Sequence, residues 1–566
     1  MRPAATLRLA ALRLAAPLAL GPAAAVEAQP AATIAATDPV YAAIDELAAL
    51  VPLPGLIVGQ RPYSRREVAR LTRAAERALA SGPGGATPAL APRAAARGAA
   101  LVATLRAALG ADTLPTARSD AAAPATAVGR VGGRAVEWVA GHALGSGAAP
   151  RPVPRDNGIG SIAAVSNPPL DARSGRPAPR GAVLSLESAH RVGVGGWLAL
   201  VAQPRLSLVA PDGGATRPNV EPQRLLARAR WRNVALQGGI DERLWGQGGG
   251  RSLFLSANAR PLRAVSVASD TAFALPWLLR HAGRVRAELL VADLGAAQHF
   301  PHAKLAAYKV DAAPASWLEL GVGLMSHMGG RGAPPLTVAQ RAKDLAPFVL
   351  WAVAEGSDAL ATNKVANGQL RVRVPRWRGA TAYWEMAMDD FDLRRVRSML
   401  WDDSGHLVGL TLPRLRDDGS LALDVQLHHT SLRLYQHYQF LSGLTYRGQI
   451  LGSPLGPNAS AAYVALAWRP AVGTTVELSA AAESRDSSVY TSRVRTVDED
   501  GFEFVRVRPG VVERRGRLAL LVRRDAAGAG RGWFARAGAD RVTDRGFVRR
   551  PAAAQAFAEA GAIVRF

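Results

Sequence analysis

Two periodicities divide the chain. Between residues 38 and 110 the apolar positions recur at helical spacing: Tyr41, Ile44, Leu47 and Leu50 form one stripe, and Val68, Leu71, Ala75 and Leu79 another. Asp38-Pro39 reads as a cap followed by a first-turn proline, and Pro52-Leu53-Pro54-Gly55 as a stop. Ser64, with Glu67 three residues on, predicts a capping box for the second helix. A third, Ala-rich helix is expected from about Arg93 to Leu109. From about residue 126 the period becomes two. Leu421, Leu423, Val425 and Leu427 alternate with Asp424, Gln426 and His428. Val476, Leu478, Ala480 and Ala482 do the same against Glu477, Ser479 and Glu483. So do Leu370, Val372 and Val374 against Arg371 and Arg373, and Val285, Ala287, Leu289 and Val291 against Arg284, Arg286 and Glu288. Val505 and Val507 alternate with Arg506 and Arg508. Each predicts a half-buried strand, with Arg or Glu on many polar faces. Asp212-Gly213-Gly214, Asp403-Ser404-Gly405, Asp417-Asp418-Gly419 and Asp500-Gly501 read as turns between strands, and 147–181 as a long loop.

The first residues set the compartment. Arg2, Arg8 and Arg13 punctuate an Ala/Leu-rich run ending near Ala25, and Val26-Glu27-Ala28 suits a signal peptidase. Residues 1–28 are therefore expected to be a secretory signal cleaved near Ala28. Beyond it there is no uncharged apolar stretch of the length a membrane helix needs. An exported chain rich in alternating strands is then either soluble outside the cytoplasm or a closed transmembrane barrel. About 440 residues follow the helical unit, which at about 25 residues per strand and connection gives roughly 16–18 strands. The expected fold is mainly β: residues 29–115 a small α-helical periplasmic domain, and 116–566 a large antiparallel outer-membrane β-barrel. Phe566 and Val564 at the end of the chain suit a final barrel strand. The small residues of 558–562, and an aromatic content of 6%, low for two girdles, count against it.

Composition narrows the partners. With 49% hydrophobic and 20% charged residues, wholesale disorder is excluded. Gly 56 and Pro 38 are too few and too aperiodic for collagen. Cys 0 removes disulfides, thiolate metal sites and a cysteine nucleophile. Basic residues number 69 against 45 acidic, a net +24, almost all of the excess Arg. Such a charge calls for a polyanion: nucleic acid, lipopolysaccharide phosphate or acidic polysaccharide. The 371–378 run, Arg-Val-Arg-Val-Pro-Arg-Trp-Arg, has the look of a nucleic-acid patch, but export argues against nucleic acid as a partner.

The candidate chemistry is that of binding. Trp245-Gly246-Gln247-Gly248 reads either as a ligand loop offering an indole to a sugar or as a tight barrel turn. Ser256 to Arg260 could bring an amide and a guanidinium to a glycan carboxylate, or simply prop the barrel. Glu385 and Asp389, four apart on a strand, share a face about 13 Å apart, wider than either glycosidase geometry. Pairing of these carboxylates and Asp390 with lumenal Arg is the expectation. Adjacent His428 and His429 point to opposite faces and cannot share a metal, and His299 and His302 lie in a loop. There is no GxSxG nucleophile elbow.

Three stretches together resemble the Wzi-type family of capsule-assembly proteins. They are Leu244-Trp245-Gly246-Gln247-Gly248 with Ser252 to Pro261; Tyr383-Trp384-Glu385 with Asp389-Asp390; and Tyr435, His437, then Leu444 to Gly448 and Leu451 to Pro457. Arg61 to Glu67 is similar to the segment that opens these proteins, while Gln247 stands where the family pattern has proline. The resemblance implies a barrel of about eighteen strands with a helical bundle, and a lectin-like role in anchoring capsular polysaccharide. Where it coincides with suitable side chains, the expected polysaccharide site is Trp245, Asn258, Arg260, Glu385, Asp389, Asp390, Tyr435, His437, Tyr446 and Arg447. No catalytic residue, cofactor or metal is expected. Expected partners are acidic capsular or surface polysaccharide, outer-membrane lipid and lipopolysaccharide, and the barrel-assembly machinery. A porin or export channel for anions, or a glycan hydrolase using Glu385 or Asp389, are the competing readings.

Overall fold

The computed structural model describes residues 31–80, 90–110, 130–131, 135–143, 151–152, 156–166, 172–176, 181–194, 196–211, 213–338, 340, 362–389, 400, 403–494, 502–525 and 530–565. The expected signal peptide, Asp390, Phe566 and the Asp500-Gly501 turn lie outside these residues.

Among the described residues three helices precede the sheet: α1 Val40–Leu50, α2 Arg65–Ala80 and α3 Pro92–Leu109. The Asp38 carboxylate accepts from the Val40 N–H at 2.9 Å, which starts α1. Ser64 Oγ accepts from the Glu67 N–H at 3.1 Å, but the Glu67 carboxylate turns to Arg70 instead of closing the box. The expected capping box is thus half formed, because an ion pair within the first turn claims its acid. Ile44, Leu47, Leu71, Leu101 and Leu105 bury the shared face of the three helices. Arg65 ties the bundle by donating to the end of α3, to Leu109 O at 2.6 Å and Ala108 O at 3.2 Å.

Most of the remaining described residues form one closed antiparallel barrel of eighteen long strands. They are β1 Ala135–Ala143, β2 Gly181–Val194, β3 Leu198–Pro211, β4 Arg217–Trp231, β5 Val234–Asp241 and β6 Leu262–Ser269. Next come β7 Arg284–Asp293, β8 Lys304–Ala315, β9 Leu318–Met328, β10 Thr362–Val374, β11 Ala380–Asp389 and β12 Ser404–Leu412. The last are β13 Leu421–Thr430, β14 Ala459–Ala471, β15 Thr474–Asp486, β16 Val512–Arg524, β17 Gly530–Thr543 and β18 Ala553–Arg565. Closure is between β18 and β1, where Gly561 faces Val139 and Ala560 faces Ala140. Alternate residues point to opposite faces. On β16, Leu518 and Leu520 face outward and exposed while Arg515 and Arg517 face inward and buried. This is the inverse of a soluble sandwich and suits a lipid-embedded wall.

Two sequence expectations are corrected. The 505–508 alternation is a strand as expected, but it lies outside the barrel wall and is not half-buried: Phe502–Arg508 pairs with Val489–Val494 in a separate hairpin, whose Val507 is exposed. Asp403-Ser404-Gly405 is no turn, because Ser404 opens β12 against Met388. In the first the strand signal was right and its partner placed it outside the wall; in the second the pairing of Ser404 with Met388 overrode a local turn signal.

The two ends of the barrel differ. At one end the connections are short, as at 232–233, 316–317 and 472–473. Around this end stand Trp197, Trp231, Trp277, Trp317, Trp377, Trp468 and Trp533, all largely exposed. The low aromatic content therefore still furnishes a girdle, concentrated at one interface. The helices sit at the same end, where Arg97 Nη1 donates to Arg469 O at 3.0 Å and Arg66 Nη1 to Arg232 O at 3.1 Å. The other end carries the long loops, and several of these fold back inside.

Candidate functional site

The lumen is filled from both ends. From the short-turn end, residues 31–64 are strapped to the wall through their backbone. Glu319 on β9 accepts from the Val58 and Gly59 N–H groups at 2.9 and 2.7 Å. Arg286 on β7 donates to Gln60 O at 2.6 Å and Pro62 O at 3.0 Å, and Arg228 on β4 to Ala31 O at 2.6 Å. From the long-loop end, the 242–261 connection dives in, and the two segments meet in a short ladder with Gln60 opposite Trp245 and Arg61 opposite Leu244. Trp245, Leu253, Phe254, Tyr435, Leu444 and Leu451 pack into an apolar core inside the barrel.

One carboxylate organises that core. Glu385, fully buried on β11, accepts from four backbone N–H groups: Gln247 at 2.8 Å, Gly248 at 3.2 Å, Leu253 at 2.8 Å and Phe254 at 3.0 Å. The expected Arg partner is replaced by amides, which the backbone of a folded-in loop supplies without a counter-ion. Gly246 must be glycine twice over: its φ is +138°, and a β-carbon there would overlap the Glu385 carboxylate. Gln247, where the resemblance leads one to expect proline, donates an N–H that a proline would lack, and its side chain links Glu319 at 3.0 Å to Arg371 at 2.5 Å.

The other motif residues join loop to loop. Tyr435 Oη donates to Leu253 O at 2.6 Å and accepts from the Ser453 N–H at 3.0 Å; burial pushes its phenol above the ordinary range, so it stays protonated. Asn258 Nδ2 donates to Ile450 O at 2.9 Å, and Ser256 Oγ to Gly452 O at 2.6 Å. His437 Nδ1 accepts from the Gln439 and Phe440 N–H groups at 3.1 Å each, a local turn cap. Trp245, Asn258, Glu385, Asp389, Tyr435 and His437 are all less than 5% exposed, and Tyr446 is 7% exposed. All seven therefore belong to the packed interior. Trp245 stacks on Phe254 at 6.2 Å, inside the barrel, so it neither faces lipid at an interface nor offers an open indole face.

Arg260 and Arg447 are placed differently. Both approach Glu221 on β4, Arg260 closely and Arg447 at 3.7 Å. Arg447 sits at the tip of the Thr445–Ile450 hairpin and its side chain is 55% exposed. Beside them Arg205 pairs with Glu221 at 2.9 Å and Arg176 with Glu187 at 2.8 Å, while Arg173 pairs with Glu559. The 172–176 segment is thereby clipped to two wall strands, β2 and β18. A narrow cleft with room for little more than a water molecule runs beneath, lined among others by Ser174, Glu242, Ser256 and Arg260. Sequence reasoning missed Arg173, Arg176, Arg205, Glu187 and Glu221. For Glu187, Arg205 and Glu221 the signal was a polar residue at every second strand position, which marks the inner face but no particular partner; Arg173 and Arg176 lie in a loop, which carries no such pattern.

His428 is buried and His429 exposed, as their adjacency required. His302 pairs with Asp293 at 3.2 Å. Among the described residues no three His, Asp or Glu side chains gather as a metal set, and no helix is long and apolar enough to cross a membrane.

A closed eighteen-stranded wall with an apolar outer face, a tryptophan girdle and a filled lumen defines a plugged outer-membrane β-barrel. The profile of the capsule assembly protein Wzi family matches residues 172–503. The chain belongs to that family. Among solved structures, it is similar to Wzi from Escherichia coli, described as an outer-membrane protein involved in group 1 capsule assembly and a carbohydrate-binding β-barrel. The TM-score is 0.61 at 14% identity, over 95% of this chain and 99% of that one. Weaker likenesses include OprD from Pseudomonas aeruginosa, with TM-score 0.39 and 8% identity over 77% of this chain and 93% of that one. Another is OccD3 from the same organism, with TM-score 0.42 and 7% identity over 77% and 91%. No curated protein matches the chain.

Proposed function

We propose that this barrel anchors acidic surface polysaccharide at its long-loop mouth, without catalysis. Family membership supports the ligand class, and the observation that carries the reading is the rim itself. Arg447 stands exposed beside Arg260, on a floor that Glu385 and Tyr435 hold rigid. A guanidinium there meets a glycan carboxylate bidentately, and a repeating polymer multiplies each weak contact by avidity. The buried motif residues then serve binding indirectly, by fixing the loops. Glu385 is poorly suited to hydrolysis, since four amides occupy its oxygens and no solvent reaches it. The packed lumen likewise argues against a porin.

In this reading the long loops face outward, as in other outer-membrane barrels. The helical unit faces the periplasm, lipopolysaccharide surrounds the outer rim, and the barrel-assembly machinery inserts the exported chain. The test is retention of cell-bound polysaccharide in a deletion strain complemented with wild type or Arg260→Ala/Arg447→Ala. Wild type restores retention, and the double variant, equally abundant and heat-shiftable on gels, loses most of it. Unchanged retention in the deletion strain overturns the proposal. Steady conductance of the purified protein in planar bilayers would favour the channel reading instead.

A further inference from the structure

One connection at the short-turn end is long. Residues 270–283, between β6 and β7, begin fixed: Asp270 is buried and takes Arg228 at 2.8 Å, and Phe273 pairs with Val285. The chain then projects as a short 3₁₀ turn, Trp277–Ala282, and returns through Gly283 at φ +72°, packed on the Ala313 carbonyl. Trp277, Leu278 and Leu279 are 89%, 83% and 61% exposed. Three consecutive large apolar side chains held out by an ordered turn call for an apolar occupant.

The surroundings identify it. Trp231 and Trp317 of the girdle belong to neighbouring turns, and the exposed Val234, Leu236, Val265 and Val267 of β5 and β6 continue the lipid-facing wall. The apolar tip is followed at once by exposed Arg280 and His281, with exposed Arg284 three residues further. Arg232, also exposed, lies over the Trp231 ring at 4.9 Å. Arg66 of α2 reaches this turn, and Arg73 and Arg77 extend the same helix face away from it. The acids nearby are spoken for: Asp270 is buried against Arg228 and Glu67 pairs with Arg70. An apolar tip continuous with the wall, beneath a cationic collar, matches an anionic phospholipid leaflet, with acyl chains for the tip and phosphates for the collar.

We propose that Trp277–Ala282 is a membrane foot that dips into the leaflet on the short-turn side, where Arg232, Arg280 and His281 bind anionic phospholipid headgroups. Only the identity of that leaflet rests on the orientation proposed above.

The cysteine-free chain makes the test direct. Leu278→Cys, labelled with an environment-sensitive fluorophore, is reconstituted into phosphatidylcholine vesicles with or without phosphatidylglycerol. Ala100→Cys on the exposed side of α3 is the aqueous reference. The expected result is blue-shifted Leu278→Cys emission, quenched by shallow spin-labelled lipid and several-fold less by iodide than the reference. Phosphatidylglycerol should deepen the protection, and Arg232→Gln/Arg280→Gln should remove that increment. Leu279→Cys repeats the measurement should Leu278→Cys fold poorly on a heat-shift gel. Iodide quenching of both foot positions equal to the reference overturns the proposal and leaves a periplasmic protein as the occupant to seek. An impermeant maleimide on intact cells reads orientation separately. Labelling of Ala100→Cys there would reverse the assigned leaflet while leaving the insertion result intact.

Discussion

The two faces of the same strands obey different rules. Outward, Leu518 and Leu520 on β16, Val265 and Val267 on β6 and Leu427 on β13 are exposed to a medium as apolar as themselves. Any apolar side chain serves there, because nothing interlocks with it. Inward, Arg515 pairs with Glu483, Arg517 with Asp540 at 3.0 Å, and Glu385 with four amides of one loop. The two ion pairs join residues directly opposite on adjacent strands, and Glu385 reaches the loop folded into the lumen. The wall is thus generic on one side and specific on the other, and the specific side is where the folded-in loops gain their rigidity.

The sharpest way to break this contrast is to remove its central acid. Glu385→Ala leaves four buried N–H groups without an acceptor, each costing about 1–3 kcal/mol. A loss of about 4 kcal/mol or more is expected in urea unfolding from vesicles, together with new proteolytic cleavage within 246–254. The β-rich circular dichroism should persist, since the wall does not depend on the plug. An unchanged urea midpoint would mean that the inner face is no more specific than the outer.

A matched pair of enlargements follows in size. Ala387, on the same strand as Glu385, faces inward at 0% exposure, while Val265 faces outward at 59%. Ala387→Leu should cost about 1–3 kcal/mol by overpacking, and Val265→Leu less than about 0.5, because lipid yields and a filled lumen does not. Equal costs would erase the distinction. Between these stands Tyr435→Phe, which strands both the Leu253 carbonyl and the Ser453 amide. It should cost about 1–3 kcal/mol and loosen the long-loop end.

The same asymmetry governs what could be read from the chain. The outer wall was legible because a period of two needs no knowledge of partners. Leu421 to Leu427 and Val476 to Ala482 fall in β13 and β15 as expected. The helices were legible from their stripes, and α3 begins at Pro92, one residue from the expected start. The family motifs were visible too, but their roles were not. Nothing local to Glu385 announces that its partners lie 131 to 138 residues earlier, in the backbone of a loop. Backbone donors leave no trace in side-chain pattern, so the expectation fell on Arg. Trp245, Tyr435 and Asn258 carry side chains that suit sugars, and those same side chains suit a mixed apolar and hydrogen-bonded plug. Among the described candidates, Arg447, at a hairpin tip, is the most exposed one with chemistry suited to an acidic glycan.

Arg447 therefore supplies the smallest effect on folding and the finest test. Its ion pair with Glu221 spans 3.7 Å with the guanidinium largely in solvent, a geometry worth about 0–1 kcal/mol. Its neighbour Arg260 pairs with the same acid more closely and from deeper, so Glu221 keeps a partner when Arg447 is removed. Arg447→Ala should leave the urea midpoint within about 0.5 kcal/mol of wild type, yet lower the affinity for purified acidic polysaccharide several-fold at low salt. The deficit should shrink as salt rises, since screening weakens the wild-type contact in the same way. Glu221→Gln separates the two roles further. It frees Arg260 and Arg447 from their shared acid, and so should raise the affinity for an anionic glycan while costing stability. A variant that lowered both would place Glu221 itself among the glycan contacts, and would move the rim from a guanidinium pair to a mixed donor and acceptor surface.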